Sequence, residues 1–362
     1  LIKFESRLTP SPMTTHSIAA PVLTDWVREL LQAQGVSASD AQITADSLVS
    51  ADVEGVASHG VMLLPMYLDR LRAGSVKAHA RPCVVEDLGG LVVMSAQQAL
   101  GQVSSQVAVR LAVERAQVHG LSAVTVRDAF HFGAASFWAR QVAAAHMIGM
   151  AFSNTRPLMP APGGAERVVG NNPVAMAFPS VSGDPLVVDM AMSATAMGKI
   201  RLADAKGQAI PQGWATDAQG EPTTSAAQAI AGMLLPAAGP KGFGLAVAID
   251  LLCGALSGGG VGAQVQPLYG DAATPYNCAH TFIAIDASRL HGGRGVDSEV
   301  SAFAQVIRQS KRAPGVETIY APGDLERARR QEHAQGVLLG ADLVDKLQQE
   351  AQRSGLKTRL VG

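Results

Sequence analysis

The side chains best suited to moving a proton in this sequence stand at two glycine turns. Ala57-Ser58-His59-Gly60-Val61 sets a hydroxyl beside an imidazole at a break between two helix-patterned segments. A histidine at such a junction stays outside the helical ladder and can be aimed into a cleft. Imidazole is also the side chain whose ordinary pKa lies closest to neutrality. His131-Phe132-Gly133 lies between a strand pattern and a helix pattern, where a ring nitrogen and free backbone N–H groups can face one space. Other stretches add acceptors and cations. Asp189-Met190-Ala191 follows a strand pattern and leads to Gly198-Lys199. Gly239-Pro240-Lys241-Gly242 opens an apolar helix, so Lys241 adds a full charge to the positive end of the helix dipole, an anion site. Turns at Gly170-Asn171-Asn172-Pro173 and Pro322-Gly323-Asp324 complete the set. Taken singly, the Ser-His pair also reads as a helix cap beside a surface histidine, and the other turns as structural glycines.

The elements that must position these groups follow from hydrophobic periodicity. Helices are predicted over 21–34, stopped by Gly35, and from Ser37 into Asp52, which delivers the Ser58-His59-Gly60 corner. Pro65 fits the first turn of a third helix ending at Gly74, so 13–74 is expected to be all helical. Beyond about Pro82 strands (91–94, 121–126, 148–153, 174–178, 186–189, 281–285) alternate with helices (101–119, 134–146, 241–256). This is the pattern of an α/β layer. Helices over 297–310 and 341–353 close the chain. The plan expected is an α/β domain over 85–296, set between a helical segment over 13–84 and C-terminal helices over 297–362 that pack back on it. Residues 1–12, upstream of Met13, are read as an extension outside the fold.

Composition removes several function classes. The chain has 362 residues, 48% hydrophobic and 16% charged, with a formal net charge of -1, which describes a well-buried globular protein. That balance speaks against a nucleic-acid groove or an anionic membrane surface as partner. No apolar run approaches the roughly 18 residues of a membrane span. Cys83, Cys253 and Cys278 are far apart and odd in number, which fits inert thiols in a reducing cytoplasm. A metal hydrolase built on His59, His131 and His280 lacks paired ligand spacing, so no metal is expected. No phosphate-binding GxxxxGK[ST] and no GxSxG elbow is present. Gly258-Gly259-Gly260-Val261-Gly262-Ala263 fits the looser dinucleotide fingerprint but follows a helix, and reads as a flexible turn.

Over about 22–336 the chain resembles the malate/L-lactate dehydrogenase family of the second type, NAD(P)-dependent oxidoreductases. The resemblance rests on Ser58-His59-Gly60-Val61 with Leu64-Pro65, His131-Phe132-Gly133, Gly170-Asn171-Asn172-Pro173, Asp189-Met190-Ala191 with Gly198-Lys199, Gly239-Pro240-Lys241-Gly242, and Pro322-Gly323, in that order. It implies a non-Rossmann cofactor-binding α/β domain, a helical domain made from both chain ends, and a homodimer with its active site near the subunit interface. It also implies a proton donor or acceptor at His59 with Ser58 beside it, and His131 lining the reaction site. NAD or NADP would be held by Thr155, Asp189, Met190, Ala191, Lys241, Gly323, Asp324 and Leu325, with Leu63 and Tyr67 on the substrate side.

One position departs from the family pattern, which usually reads Ser-His-Gly-Val-x-Arg, the arginine gripping the substrate carboxylate. This chain has Leu63 there, and leucine cannot replace a bidentate guanidinium. Arg156 and Arg167 are candidates to supply the missing cation, and an altered substrate is the expectation. A small 2-oxo or 2-hydroxy acid leads. A cyclic ketimine such as piperideine- or pyrroline-carboxylate follows, and a dinucleotide-binding relative without catalysis is the rival from another class.

Overall fold

The computed structural model describes residues 15–288 and 290–360. A short strand, β1 (Thr15–Ile18), precedes helices α1 (Ala20–Ala33) and α2 (Ala38–Val53), which pack on each other. The apolar stripe of α1, Leu23, Trp26, Val27, Leu30 and Leu31, is buried. The Ser37 hydroxyl caps α2 by accepting the Asp40 N–H at 3.2 Å. Two tight turns (Ala57–His59 and Val61–Leu63) lead into α3 (Leu64–Ala73), which has Pro65 in its first turn and ends at Gly74, φ 81°.

Strands β2 (Cys83–Asp87) and β3 (Leu91–Ser95), helix α4 (Gly101–His119), β4 (Leu121–Ala129), α5 (Ala135–Ala143) and β5 (Ile148–Ser153) follow. A two-stranded ribbon, β6 (Met159–Pro160) with β7 (Arg167–Val169), leads to β8 (Val174–Phe178), β9 (Leu186–Met190) and α6 (Met197–Ala205). A small sheet comes next: β10 (Ala215–Thr216), β11 (Pro222–Thr223), α7 (Ala226–Ala231) and β12 (Met233–Leu234). The chain ends with α8 (Pro240–Asp250), β13 (Cys278–Ile285), α9 (Asp297–Gln309), α10 (Asp324–Glu332), β14 (Val337–Gly340) and α11 (Ala341–Arg353).

The main sheet runs β2-β3-β4-β13-β5-β8-β9. Only β3 and β4 are parallel; every other neighbouring pair is antiparallel. A doubly wound dinucleotide sheet, by contrast, is mostly parallel. The larger buried apolar cluster spans Ile18 to Leu360, so both chain ends share a core with α4 and the sheet. A second cluster joins residues between Phe152 and Ala279.

Three expectations need correction. The stretch 13–74 is not all helical, because β1 pairs antiparallel with β14, Thr15 opposite Gly340 and Ile18 opposite Val337. Four residues carry too little alternation to announce a strand whose partner lies at the far end of the chain. The helix expected over 134–146 stops at Ala143, and the one expected over 241–256 is continuous but leaves α geometry after Asp250, regaining it at Leu256. It widens there into a π-turn over Leu251–Ala255, where a Cβ on Gly254 would lie 2.3 Å from the Gly260 carbonyl oxygen. The extension expected over 1–12 lies outside the described residues.

Candidate active site

The His59 corner is held from below by a carboxylate. Asp52 falls on the core face of α2 with Ala41, Ala45 and Leu48, and is buried. Its Oδ2 accepts the Val61 N–H at 2.7 Å. A Cβ on residue 60 would come within 2.1 Å of that carboxylate, so the approach requires Gly60. Burial pushes Asp52 up to about 7, opposed by the Val61 N–H. Glu54, at the end of α2, pairs with Arg140 of α5 at 2.7 Å, a nearly buried bridge that locks this corner against α5. On the corner itself, the Ser58 hydroxyl lies 3.0 Å from His59 Nδ1.

His131 follows β4 and is clamped from the other side. A Cβ on Gly101, the first residue of α4, would strike the Phe130 and His131 carbonyl oxygens at 2.2 and 2.3 Å. The Trp138 indole donates to the Phe132 carbonyl at 2.9 Å and fixes the turn. Tyr67 of α3 places its hydroxyl 2.8 Å from His131 Nδ1 and 3.1 Å from the His131 carbonyl, and accepts from Gln102 at 3.1 Å. The Gly133 N–H also donates to Nδ1, at 3.3 Å. Nδ1 is therefore an acceptor, and the neutral ring carries its proton on Nε2. Among the described residues that nitrogen has no hydrogen-bond partner.

The two rings stack with centroids 5.6 Å apart and planes 22° from parallel. Burial lowers the pKa of both. The nearby charges split them: the Asp189 carboxylate draws His59 back up, whereas His59 and His280 push His131 further down.

Both rings open onto a cavity of about 1180 Å³, lined also by Ser58, Leu63, Ser136, Thr155, Asp189, Met190, Ala191, Gly323 and Leu325. Asp189, at the end of β9, accepts the Ser136 N–H at 3.0 Å and so joins the sheet edge to the start of α5. Thr155 is pinned by Asn172 and Asn171, at 2.9 and 3.0 Å. A Cβ at Gly170 would lie 2.2 Å from the Thr155 hydroxyl, which is why glycine opens that turn. Gly323 takes φ 92° at the start of α10.

Other sequence candidates lie elsewhere. Tyr67 is buried behind His131 and does not line the cavity. Asp324 is turned inward, 2.8 Å from Arg308 and 2.9 Å from Arg327, and accepts the Ala321 N–H. Lys241 is exposed at the start of α8, off the cavity wall. Arg167 donates to the Ala231 and Gly232 carbonyls. His280 spends both ring nitrogens inside the core. Among the described residues no group of three or more His, Cys, Asp or Glu side chains is arranged to hold a metal ion.

Sequence reading passed over Asp52, Gln102, the Glu54–Arg140 bridge and Arg201. Asp52 had a signal, since an acid four residues after Leu48 sits on the buried stripe. The cavity wall holds hydroxyls and a carboxylate suited to ribose oxygens and guanidinium groups suited to phosphate, the donor set a dinucleotide needs. Among the described residues no helix is long and apolar enough to cross a membrane.

Two stacked imidazoles thus stand at the wall of one cavity, beside hydroxyls and a carboxylate. Residues 18–348 match the family described as malate/L-lactate dehydrogenase. The malate dehydrogenase of Pyrococcus abyssi is 33% identical over 92% of this chain and 94% of the relative. The (2R)-3-sulfolactate dehydrogenase (NADP(+)) of Chromohalobacter salexigens is 34% identical, covering 88% and 92%. The ureidoglycolate dehydrogenase (NAD(+)) of Escherichia coli O157:H7 is 31% identical, covering 92% and 95%. Among solved structures, the sulfolactate dehydrogenase of Methanocaldococcus jannaschii superposes with TM-score 0.90 at 32% identity, over 95% of this chain and 98% of the other. The delta1-piperideine-2-carboxylate reductase of Pseudomonas syringae pvar. tomato gives 0.83 at 26% identity, over 93% and 100%. The chain belongs to the malate/L-lactate dehydrogenase family and is an oxidoreductase enzyme.

Proposed function

We propose that this enzyme transfers a hydride between NAD or NADP and a small 2-hydroxy or 2-oxo acid. The observation that carries the reading is the stacked His59–His131 pair, set in one cavity with Asp189. Bound there, the nicotinamide supplies or takes up the hydride. Thr155, Asp189, Met190, Ala191, Gly323 and Leu325 would hold the cofactor. His59 gives the matching proton to the substrate oxygen in reduction and removes it in oxidation, with the Ser58 hydroxyl beside its Nδ1. Asp189 stabilises the charged ring in between. His131 stays neutral and directs its Nε2–H at the same oxygen, held in place by Tyr67 and Gly133. A homodimer is the assembly this reading carries. Leu245, Leu251, Leu252 and Leu256 lie exposed along α8 and the turn after it, an apolar face suited to a second copy.

A second reading is reduction of a cyclic ketimine carboxylate. It draws on the likeness to the piperideine-carboxylate reductase and on the apolar Met62, Leu63, Leu158 and Leu268 of the wall, which suit a ring methylene. Loss of NADH or NADPH absorbance against a panel of 2-oxo acids and cyclic imines tests both. The first reading requires turnover of a 2-oxo acid, and turnover of imines alone selects the second. Silence on the whole panel, with both cofactors, rejects hydride transfer to either class.

A further inference from the structure

Arg70 of α3 is buried, 1% exposed, and its hydrogen bonds among the described residues all go to neutral oxygens. Most of them reach one loop, 266–277, where the Pro267, Leu268 and Thr274 carbonyls accept at 2.7–3.3 Å. The other is to the Ser75 hydroxyl at 3.4 Å, which itself donates to the Ala272 carbonyl of the same loop at 2.6 Å. The loop is closed at its neck, where the Gln266 N–H donates to the Tyr276 carbonyl at 2.9 Å. A buried cation is costly unless its donors are matched. Here the matching serves a single loop.

That loop gives Leu268, Tyr269 and Tyr276 to the cavity wall. Leu268 packs on the larger apolar cluster, whereas Tyr269 is 71% exposed and stands at the rim. Arg70 joins this wall to the His131 ring by direct contacts. It lies one turn beyond Tyr67 on α3, and the Tyr67 hydroxyl is the partner of His131 Nδ1. Its guanidinium stands 5.8 Å from the centroid of Phe130, the residue before His131. The Phe130 ring also meets Tyr67 at 4.9 Å and Tyr276 at 6.1 Å, both edge-on. One face of α3 therefore supports both the ring and the loop.

We propose that Arg70 is a positioning residue that fixes the Leu268–Tyr269 wall relative to His131, and that this wall limits how far a substrate extends beyond its reacting carbon. The inference rests on the cavity being the hydride-transfer site. A wall held from behind does not yield to a longer chain, so methylenes beyond its reach cost transition-state binding. A wall released from Arg70 yields. The site then admits longer chains and orients short ones less well.

The test uses the full chain with Arg70→Lys, Arg70→Met, Tyr269→Ala, and Arg70→Lys combined with Tyr269→Ala. Steady-state kinetics runs through unbranched 2-oxo acids from pyruvate to 2-oxohexanoate. The NAD or NADP dissociation constant and hydrogen exchange of the loop amides are measured beside it. The wild type should lose about tenfold or more in kcat/KM for each methylene past the limit. Each single variant should flatten that profile. The Arg70 variants should also raise KM for the shortest acid by about tenfold, with kcat and cofactor binding little changed and lysine milder than methionine. Their loop amides should exchange faster. The combined variant should be no flatter than Tyr269→Ala, because both changes act on one wall. Tyr269 is exposed, so its variant decides the length limit even if Arg70→Met does not fold. A flat wild-type profile, or one that Arg70→Lys and Tyr269→Ala leave unchanged, overturns the proposal. So does loop exchange no faster in the Arg70 variants, or a loss confined to cofactor binding, which would give the loop to the dinucleotide. A wild type silent on the whole series with both cofactors rejects hydride transfer to this class, and the length limit with it.

Discussion

His131 and His280 stand on either side of one strand pairing, and only one of them faces chemistry. Each has a hydroxyl at Nδ1, Tyr67 at 2.8 Å and Ser153 at 2.9 Å. Each is pushed towards the neutral form by burial. The difference lies in Nε2. In His280 it donates to the Phe130 carbonyl at 3.0 Å, and the ring lies flat on Phe132, centroids 4.3 Å apart and planes 7° from parallel. In His131 the same nitrogen is left over, on a ring that stacks on His59 at a cavity wall. A buried, hydrogen-bonded histidine is therefore not a functional one until a nitrogen is spared.

That contrast breaks most sharply by substitution. His59→Asn and His131→Asn should each cut kcat by about a hundredfold to ten-thousandfold with the unfolding midpoint nearly unmoved. His280→Asn should keep kcat and lose about 1–3 kcal/mol in urea unfolding, the cost of buried partners left unmatched. If His280→Asn removed activity as fully as the other two, the distinction would be gone.

The bridge that holds the His59 side should matter next. Glu54→Ala leaves Arg140 without its partner in a nearly buried place, and a loss of about 3–5 kcal/mol is expected by denaturant titration. Acid stability then sharpens the His280 half. Its folded pKa of about 4 lies below the ordinary 6.5, so between those values the unfolded chain binds more protons. The stability this ring contributes is complete above pH 6.5 and disappears as pH falls through 4. Its size is about 3 kcal/mol. Unfolding titrations at intervals across that window should show a slope that flattens in His280→Gln; an unchanged slope would assign it to other groups.

Smaller effects separate positioning from proton transfer. Tyr67→Phe removes the hydroxyl at His131 Nδ1 and should lower kcat roughly fivefold, with KM for substrate unchanged. Reduction needs His59 charged, so its rate should fall as pH rises through a pKa below the ordinary 6.5. Asp189→Asn removes the charge that raises that pKa, moving the falling limb to lower pH. A limb that stays in place would show that His59 is not the titrating acid.

Much of the frame was legible before any coordinates. The helix over Gly101–His119 has an apolar stripe and a terminating glycine, and both bounds were read correctly because those signals are local. The Ser58-His59-Gly60 corner was equally plain, since an imidazole between two helix patterns at a glycine announces itself. Strand β1 was not, because its partner lies more than three hundred residues away and it has only four residues of its own. Tyr67 and Asp324 show a further boundary. Each is implied by the resemblance alone; Tyr67 faces the back of His131, and Asp324 faces Arg308 and Arg327.

Residue type and spacing determined that two imidazoles would stand at turns, with hydroxyl, carboxylate and glycine companions, in an α/β chain. Which ring nitrogen is spared was decided by the packing of strands and loops remote in sequence. Hydrogen-bond capacity belongs to a side chain; whether it is spent depends on whatever the fold brings within about 3 Å of it.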